Sequence, residues 1–141
     1  LMVAPTEEWA LIHVGRDAEQ ARQTMVPDYV TETGYTQPLD VRSKVGDHQS
    51  TARVGLIDVD SGGVRWLDLS PEVEVSPEDS VGLPAGETPD LALVLLRGWN
   101  RPGTLGLLET VSFDYKHRWL HVVDGATGTV TTVVHDYDRA W

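Results

Sequence analysis

Histidines have the widest range of chemistry among the residues of this chain, which contains five of them. His117 and His121 lie four positions apart, a spacing that binds zinc when both side chains project from one face of a helix. Here they flank a segment predicted to be a β-strand, along which side chains four positions apart are separated by ~13 Å. The spacing therefore predicts no metal site, and no other residue pattern predicts a cofactor.

A serine nucleophile is the second chemistry to consider. Serine hydrolases of the α/β class carry the nucleophile in a Gly-x-Ser-x-Gly motif on a strand-to-helix turn. No serine of this chain has glycine both two positions before it and two positions after it. Ser61 is followed by two glycines, but Val59 lies two positions before it, so Ser61 is better interpreted as a turn residue. The chain has no cysteine, and we expect any associated catalysis to need residues from outside it.

Two groups of carboxylates have spacings that could hold a cation. Glu7 and Glu8 are adjacent and could bind an ammonium group, although a solvated turn is the simpler interpretation. Asp58 and Asp60 resemble the start of a calcium loop, but the later glycine and glutamate of that loop are missing. A self-sufficient enzyme that uses a pair of carboxylates is therefore disfavoured.

The charge of the chain disfavours several classes of partner. It has 11 basic and 22 acidic residues, for a net charge of −11, and the basic residues are scattered. Nucleic acids and anionic membranes both require clustered basic residues. The longest apolar run covers residues 91–96, far short of the ~20 residues of a membrane-spanning helix. We expect neither nucleic acid nor membrane as a partner, and both cytoplasm and periplasm remain open as compartments.

Strand patterns dominate the rest of the chain. Residues 52–59 and 64–69 predict a hairpin, and residues 118–123 and 129–134 predict a second one. The two connecting turns share the pattern Asp, two residues, Ser or Thr, Gly, one residue, Val. The repeat begins at Asp58 and at Asp124, an offset of 66 residues. We therefore predict an all-β chain that contains a repeated antiparallel unit.

A β-propeller is the architecture that this repeat favours, because each of its blades is a four-stranded antiparallel sheet. The predicted organisation is a first blade over residues 1–82 with a long loop insertion at 16–51. A second blade and the start of a third would occupy residues 83–141. About two blades cannot close a ring, so we expect a fragment of a longer protein or copies that associate through open sheet edges. A β-sandwich is the structural alternative.

Several short motifs resemble the N-terminal propeller of bacterial prolyl oligopeptidase family peptidases, on the dipeptidyl-peptidase side. They are Val-Pro-Asp-Tyr-Val at 26–30, Gly-Tyr-Thr at 34–36, the segments 42–47 and 53–58, Asp-Tyr-Lys-His-Arg-Trp-Leu at 114–120, the turn 124–128, and Asp-Arg-Ala-Trp at 138–141. The resemblance covers about residues 25–69 and 105–141. It implies a propeller that restricts access to a C-terminal α/β-hydrolase domain and helps to hold the peptide substrate. The hydrolase domain would be the missing partner of this chain.

Four residues of the insertion form the predicted substrate-binding set. Arg42, Lys44 and Asp47 are a polar group at the end of the long loop, and Tyr35 precedes them. An arginine facing a propeller cavity could bind a peptide carbonyl or carboxylate, whereas a salt-bridged loop base is the structural alternative. The two tyrosines of the loop predict that it is packed. The functional hypotheses are thus a non-catalytic peptidase propeller that gates and positions substrate, or a stand-alone β-rich module that binds a ligand or protein.

Overall fold

The computed structural model describes residues 1–18, 23–43, 50–69 and 91–138, and the observations below concern these residues. They contain β-strands and no helix, which confirms the predicted all-β class. No helix in the described part is therefore long and apolar enough to cross a membrane. The chain divides into two units, one formed by Leu1–Gly15 with Ala52–Trp141 and the other by Arg16–Thr51.

Ten strands follow one another along the described residues. They are β1 (Met2–Val3), β2 (Trp9–Arg16), β3 (Gln23–Asp28), β4 (Gln37–Ser43), β5 (Thr51–Asp58), β6 (Val64–Trp66), β7 (Leu91–Trp99), β8 (Leu105–Ser112), β9 (His117–Asp124) and β10 (Val130–Tyr137). The first sheet has the strand order β1-β2-β5-β6, and the second sheet has the order β7-β8-β9-β10. In both sheets each strand lies beside the next strand that the chain contributes to that sheet.

One face of the first sheet packs against one face of the second sheet. Leu11 of β2 and Leu56 of β5 are buried there, together with Val54. Leu108 of β8 and Val123 of β9 belong to the same buried cluster. Partly buried hydrophobic residues surround it: Met2, Trp9, Ala52, Leu67, Leu91, Leu96, Trp99 and Val130. The core of this unit is therefore formed where the two sheets meet.

Strands at corresponding positions of the two sheets contact each other. Leu11 of β2 lies over Gly106 of β8, where a Cβ atom would come within 2.8 Å of the Leu11 Cδ1 atom. Trp99 at the end of β7 donates an indole hydrogen bond to the carbonyl of Met2 in β1, at 3.2 Å. The absence of a side chain at Gly106 thus lets the second strands of the two sheets approach closely.

The outer hairpins, β5–β6 and β9–β10, close with the same turn. The Gly62 N–H donates to the Asp58 carbonyl at 2.9 Å, and the Gly128 N–H donates to the Asp124 carbonyl at 2.8 Å. Both glycines have φ of 70°, in the left-handed region that glycine adopts without a steric penalty. The two hairpins predicted from the repeated pattern are confirmed.

The aspartate of each turn holds it with its side chain. Asp58 Oδ1 accepts the Ser61 N–H at 3.1 Å, and Asp124 Oδ1 accepts the Thr127 N–H at 2.8 Å. In the second turn the Thr127 hydroxyl also donates to Asp124, at 3.0 Å. These hydrogen bonds from the backbone and hydroxyl of Thr127 favour the charged carboxylate, so the pKa of Asp124 is lowered below its ordinary value of 3.8.

The first hairpins of the two sheets also match, although their sequences do not. The Ala4 N–H donates to the Trp9 carbonyl at 2.7 Å, and the Asn100 N–H donates to the Leu105 carbonyl at 2.8 Å. Asn100 and Leu105 lie 96 positions after Ala4 and Trp9, respectively. This offset exceeds the 66 of the outer hairpins because 34 residues separate β2 from β5, whereas four separate β8 from β9.

In both sheets, the turn of the first hairpin is hydrogen-bonded to the turn of the outer hairpin. The Val59 N–H donates to the Glu8 carbonyl at 3.0 Å, and the Gly125 N–H donates to the Thr104 carbonyl at 2.8 Å. Val59 and Gly125 differ by 66 positions, and Glu8 and Thr104 differ by 96. The two sheets are therefore structural repeats over both of their hairpins.

The unit 16–51 contains a two-stranded antiparallel ribbon, β3–β4, where the sequence predicts a loop without strands. Pro27 lies opposite Pro38 in this ribbon. Each strand of a two-stranded ribbon is an edge, so a missing N–H is tolerated there. Tyr29 and Tyr35 are 75% and 79% exposed. The prediction that these tyrosines pack the loop is therefore wrong.

The end of the chain extends the second sheet further than predicted. Asp136 and Tyr137 lie in β10, opposite Arg118 and His117 of β9, whereas the sequence suggests that they begin a further blade. Cross-strand partners from His117 to Val123 of β9 explain the longer strand, because the residues of β10 pair with them on both sides of an irregularity at Val133. Residues 139–141 lie outside the described part of the chain.

Candidate functional site

The structure describes only part of the predicted substrate-binding set. Tyr35 lies in the turn between β3 and β4, and its carbonyl accepts a hydrogen bond from the Thr31 hydroxyl at 2.6 Å. Arg42 lies in β4. The side chain of Arg42, together with Lys44 and Asp47, lies outside the described residues. The grouping of these four residues stays a prediction.

The adjacent carboxylates Glu7 and Glu8 lie in the turn between β1 and β2, and both are exposed. Glu7 has φ of 61° and donates its N–H to the Ala4 carbonyl at 2.9 Å. The Glu8 carbonyl accepts the hydrogen bond from Val59 described above. Both residues therefore contribute to the turn through their backbone, and their side chains face solvent.

A cleft of about 290 Å³ opens beside the outer turns of the two sheets. Its volume is at the lower end of the range for small-molecule sites. The residues that line it are Trp9, Leu56, Asp58, Ser61, Gly63, Val64, Arg65 and Ala126. One guanidinium, one carboxylate and one indole therefore share a single small cavity.

Neighbouring turns hold the polar groups of the cleft. The Arg65 guanidinium donates to the Thr127 carbonyl and thereby links the first sheet to the outer turn of the second. Asp58 accepts the Ser61 N–H, and the Ser61 hydroxyl oxygen accepts the Gly63 N–H at 3.2 Å. None of the described lining residues is a histidine that could activate Ser61. The arrangement suits the binding of a small polar group rather than nucleophilic catalysis.

Ser112, Asp114 and His117 come together at the turn between β8 and β9, but not as a catalytic triad. The buried Ser112 hydroxyl donates to Asp114 Oδ1 at 2.5 Å and accepts the backbone N–H of His117 at 3.0 Å. Burial raises the pKa of Asp114, but hydrogen bonds from Ser112 and the Lys116 N–H outweigh it and hold the pKa below 3.8. In a triad the imidazole must accept the serine proton, whereas here His117 Nδ1 lies 3.0 Å from His135 Nε2.

An aromatic stack follows this turn across β9 and β10. Trp119 stacks on His117 and on His135 with ring centroids 5.3 Å apart in each case, and Tyr137 lies 4.7 Å from His117. Trp119 is 1% exposed. Its indole N–H has no hydrogen-bond partner. An unpaired buried donor costs about 1–3 kcal/mol, so the stacking and burial of Trp119 must outweigh this penalty.

His121 lies on the same face of β9 and is bonded through both ring nitrogens. Its Nε2 lies 2.8 Å from the Thr110 hydroxyl oxygen, and its Nδ1 lies 3.0 Å from the Thr132 hydroxyl oxygen. Because a hydroxyl can donate or accept, the neutral imidazole is satisfied by these two neighbours. Burial lowers the pKa of His121 below its ordinary value of 6.5.

The chain matches no protein-family model and no curated protein. Function must therefore be argued from geometry together with the sequence resemblance. Within the described ranges, no group of three or more His, Asp or Glu side chains could hold a metal ion. The cleft beside Arg65 is the candidate binding site that the described residues present.

Sequence reasoning missed the buried histidines, although it correctly assigned their strand. His117, Trp119 and His121 alternate along β9, so all three side chains project from one face. This period of two was available in the sequence and predicts a shared environment. Their partners on β8 and β10 depend on strand register, which the sequence did not predict. Arg65 lies within the predicted return strand 64–69, and the sequence gives no sign of its contact with Thr127, because Thr127 lies in the other sheet.

Acidification is expected to destabilise the chain through His121. The pKa of this residue is lower in the folded state than its ordinary value of 6.5, so the unfolded state binds the proton first as pH falls. Its contribution to stability is complete above about pH 6.5 and declines below that value, at up to about 1.4 kcal/mol per pH unit for one proton. The measurement is the free energy of unfolding from denaturant titrations between pH 8 and pH 5.

Two variants separate His121 from the other histidines. His121→Gln cannot titrate, so its stability should fall less than that of the wild type over the same pH range. His13 is exposed on β2, and His13→Gln should retain the wild-type pH dependence. Equal pH dependence in His121→Gln and the wild type would contradict the assignment.

Proposed function

We propose that this chain forms two consecutive blades of a β-propeller that belongs, without a catalytic role, to a serine peptidase of the prolyl oligopeptidase type. The observation that carries the proposal is the repetition of both hairpins in both sheets. Four-stranded meanders joined in sequence are the unit from which propellers are built. In this interpretation β1 and β7 are the inner strands, and β6 and β10 are the outer strands.

The orientation of the two sheets supports blades rather than the two halves of a sandwich. Leu56 of β5 corresponds to Val122 of β9, 66 positions later. Leu56 packs against the second sheet, whereas Val122 lies on the face of the second sheet that points away from the first, opposite the face of Val123. The contact therefore joins the Leu56 face of the first sheet to the Val123 face of the second sheet. These two faces are not equivalent in the repeat, as is expected when repeated units stack on one another. A sandwich that buried equivalent faces would bring Leu56 and Val122 together.

The proposed role is to restrict access to a hydrolase domain and to help hold the peptide. Among the described residues, no serine hydroxyl is hydrogen-bonded to an imidazole in the way that a nucleophile is bonded to its base. His121 is hydrogen-bonded to threonine hydroxyls, those of Thr110 and Thr132. The cleft beside Arg65 offers a guanidinium and an indole, which suit a peptide carbonyl or carboxylate and an apolar side chain. Catalysis would then depend on an α/β-hydrolase domain outside this chain.

Active-site labelling tests the peptidase assignment. The gene product that includes the reading frame beyond Trp141 should react with a fluorophosphonate probe at a serine of a Gly-x-Ser-x-Gly motif, located by peptide mass mapping. The isolated chain should neither react nor hydrolyse chromogenic dipeptide substrates. Labelling within residues 1–141, or robust turnover by the isolated chain, would refute the non-catalytic role.

A stand-alone binding module is the second candidate, and the cleft is the observation that favours it. A cavity of about 290 Å³ beside Trp9 and Arg65 can bind a ligand without any hydrolase domain. A reading frame that stops after Trp141 would support this candidate and refute the first. Arg65→Met, which keeps a long side chain but removes the guanidinium, should weaken ligand binding at the cleft under either proposal.

A further inference from the structure

We propose that two copies of this chain associate head to tail, the free face of the second sheet in one copy packing on the free face of the first sheet in the other. This contact would repeat between chains the packing that already joins the two sheets within a chain. It is a contact between sheet faces, not between the open sheet edges that the sequence suggests. The contact follows from the structural repeat, the expected ring size rests on the proposed propeller, and neither depends on the peptidase assignment.

The free face of the second sheet carries the counterparts of residues that are buried in the existing contact. Leu107 corresponds to Leu11, and Leu120 corresponds to Val54. Cross-strand pairing places Leu120 beside Val134 on this face. Leu107 and Leu120 are only partly buried, and Val134 is 39% exposed. Hydrophobic residues thus recur at the positions that pack against a neighbouring sheet in the first repeat.

The free face of the first sheet is the counterpart of the surface on which Leu11 and its neighbours pack. Ile57 corresponds to the buried Val123, and Val64 corresponds to Val130 at the rim of the core. Ile57 and Val64 are cross-strand partners and therefore share one face. Val64 is 50% exposed, whereas its counterpart Val130 is partly buried. The first sheet therefore presents a hydrophobic surface of the kind that the second sheet already uses.

Charge does not oppose this contact. The free face of the second sheet carries the ion pair between Arg97 and Glu109, whose atoms lie 2.5 Å apart, and the pair between Arg118 and Asp136 at 2.8 Å. On the first sheet, the Arg53 guanidinium lies over the Trp66 ring at 4.7 Å. The ion pairs on the second sheet balance each other, and Arg53 adds a cation to the first-sheet face, so these residues do not set like charges against each other although the chain carries a net charge of −11.

A second copy of residues 1–141 can cover both free faces, because these residues carry both halves of the contact; a further blade of a longer chain would occupy the same faces in its place. Head-to-tail contacts between unlike faces close into rings or continue as open filaments. Propellers close with about four to eight four-stranded sheets. With the two four-stranded sheets that the described residues form, we expect copies of residues 1–141 to close rings of about two to four copies.

Sedimentation velocity over about two decades of protein concentration tests the association by mass action. The wild-type chain should form assemblies larger than a monomer as concentration rises. Val64→Lys on the first sheet and Val134→Lys on the second should each weaken association at least tenfold, about the loss expected when a buried interface residue is replaced. Val30→Lys is the matched control, since Val30 is 92% exposed in the connection between β3 and β4 of the other unit.

Mixing the two variants distinguishes head-to-tail packing from its alternatives. Val64→Lys keeps an intact second-sheet face and Val134→Lys keeps an intact first-sheet face, so an equimolar mixture should form a one-to-one dimer and nothing larger. Packing of two second-sheet faces would instead let Val64→Lys dimerise alone. That result, a wild-type chain that stays monomeric throughout, or no effect of either variant would overturn the proposal.

Leu95→Lys provides a second variant of the second-sheet face, because Leu95 lies on the same cross-strand row as Leu120 and Val134. Circular dichroism verifies that each variant is folded.

Discussion

Leu11→Ala is expected to lower the free energy of unfolding by about 3 kcal/mol. Leu11 is fully buried in the contact between the two sheets, and its side chain lies over Gly106 of the second sheet. The substitution removes apolar contacts and leaves a cavity that the opposing sheet can fill only by moving as a whole. Urea-induced unfolding monitored by tryptophan fluorescence measures the loss, because Trp9 and Trp99 lie at the edge of the same core.

Leu105→Ala provides the matched control, since it makes the same deletion at a partly exposed position of β8. We expect it to cost no more than about 1 kcal/mol. Measurements at low protein concentration keep any association from adding to the difference. Similar losses for Leu11→Ala and Leu105→Ala would show that the two sheets do not pack through Leu11.

Trp119→Ala is expected to lower the free energy of unfolding by about 4 kcal/mol. The indole is buried and stacks on both His117 and His135, so its removal leaves a cavity beside both imidazole rings. Trp66→Ala removes the same side chain at a position that is nearly half exposed, so it should cost much less. Denaturant titrations of both variants test the difference.

Trp119→Phe tests the unpaired indole N–H by itself. Phenylalanine keeps an aromatic ring in the stack and removes the buried donor, which costs about 1–3 kcal/mol while it has no partner. The loss of stability should therefore be far smaller than for Trp119→Ala. A loss as large as that of the alanine variant would mean that the N–H is satisfied in solution or that the ring volume alone sets the stability.

The local features of this protein were determined by its sequence. The outer turns at Asp58 and Asp124 were predicted because each needs only two local features, a glycine that adopts positive φ and a side chain that accepts a hydrogen bond. Both features lie within five residues of the sequence. The strands that flank these turns were predicted from their hydrophobic pattern for the same reason. The resemblance of the segment 114–120 to peptidase propellers is likewise a property of adjacent residues.

The candidate binding residues depended on longer-range contacts, and the sequence did not bring them together. The set around Arg42 was chosen because its members are close in sequence. Arg65 and Trp9 share a cleft although they are far apart in the chain, and the outer turn of the other sheet completes that cleft. Nothing in the residues next to Arg65 indicates that Thr127 will lie beside it.

Tertiary structure alone decided the remaining features. The first hairpins at Ala4 and Asn100 share a backbone geometry but no sequence pattern, because a glutamate adopts in one the positive φ that Gly103 adopts in the other. The packing of Leu11 on Gly106 and the burial of His121 join residues from different strands or sheets. These contacts are stabilised by the removal of apolar side chains from water when whole sheets meet. That free energy depends on which faces pack together, so no single segment of the sequence indicates it.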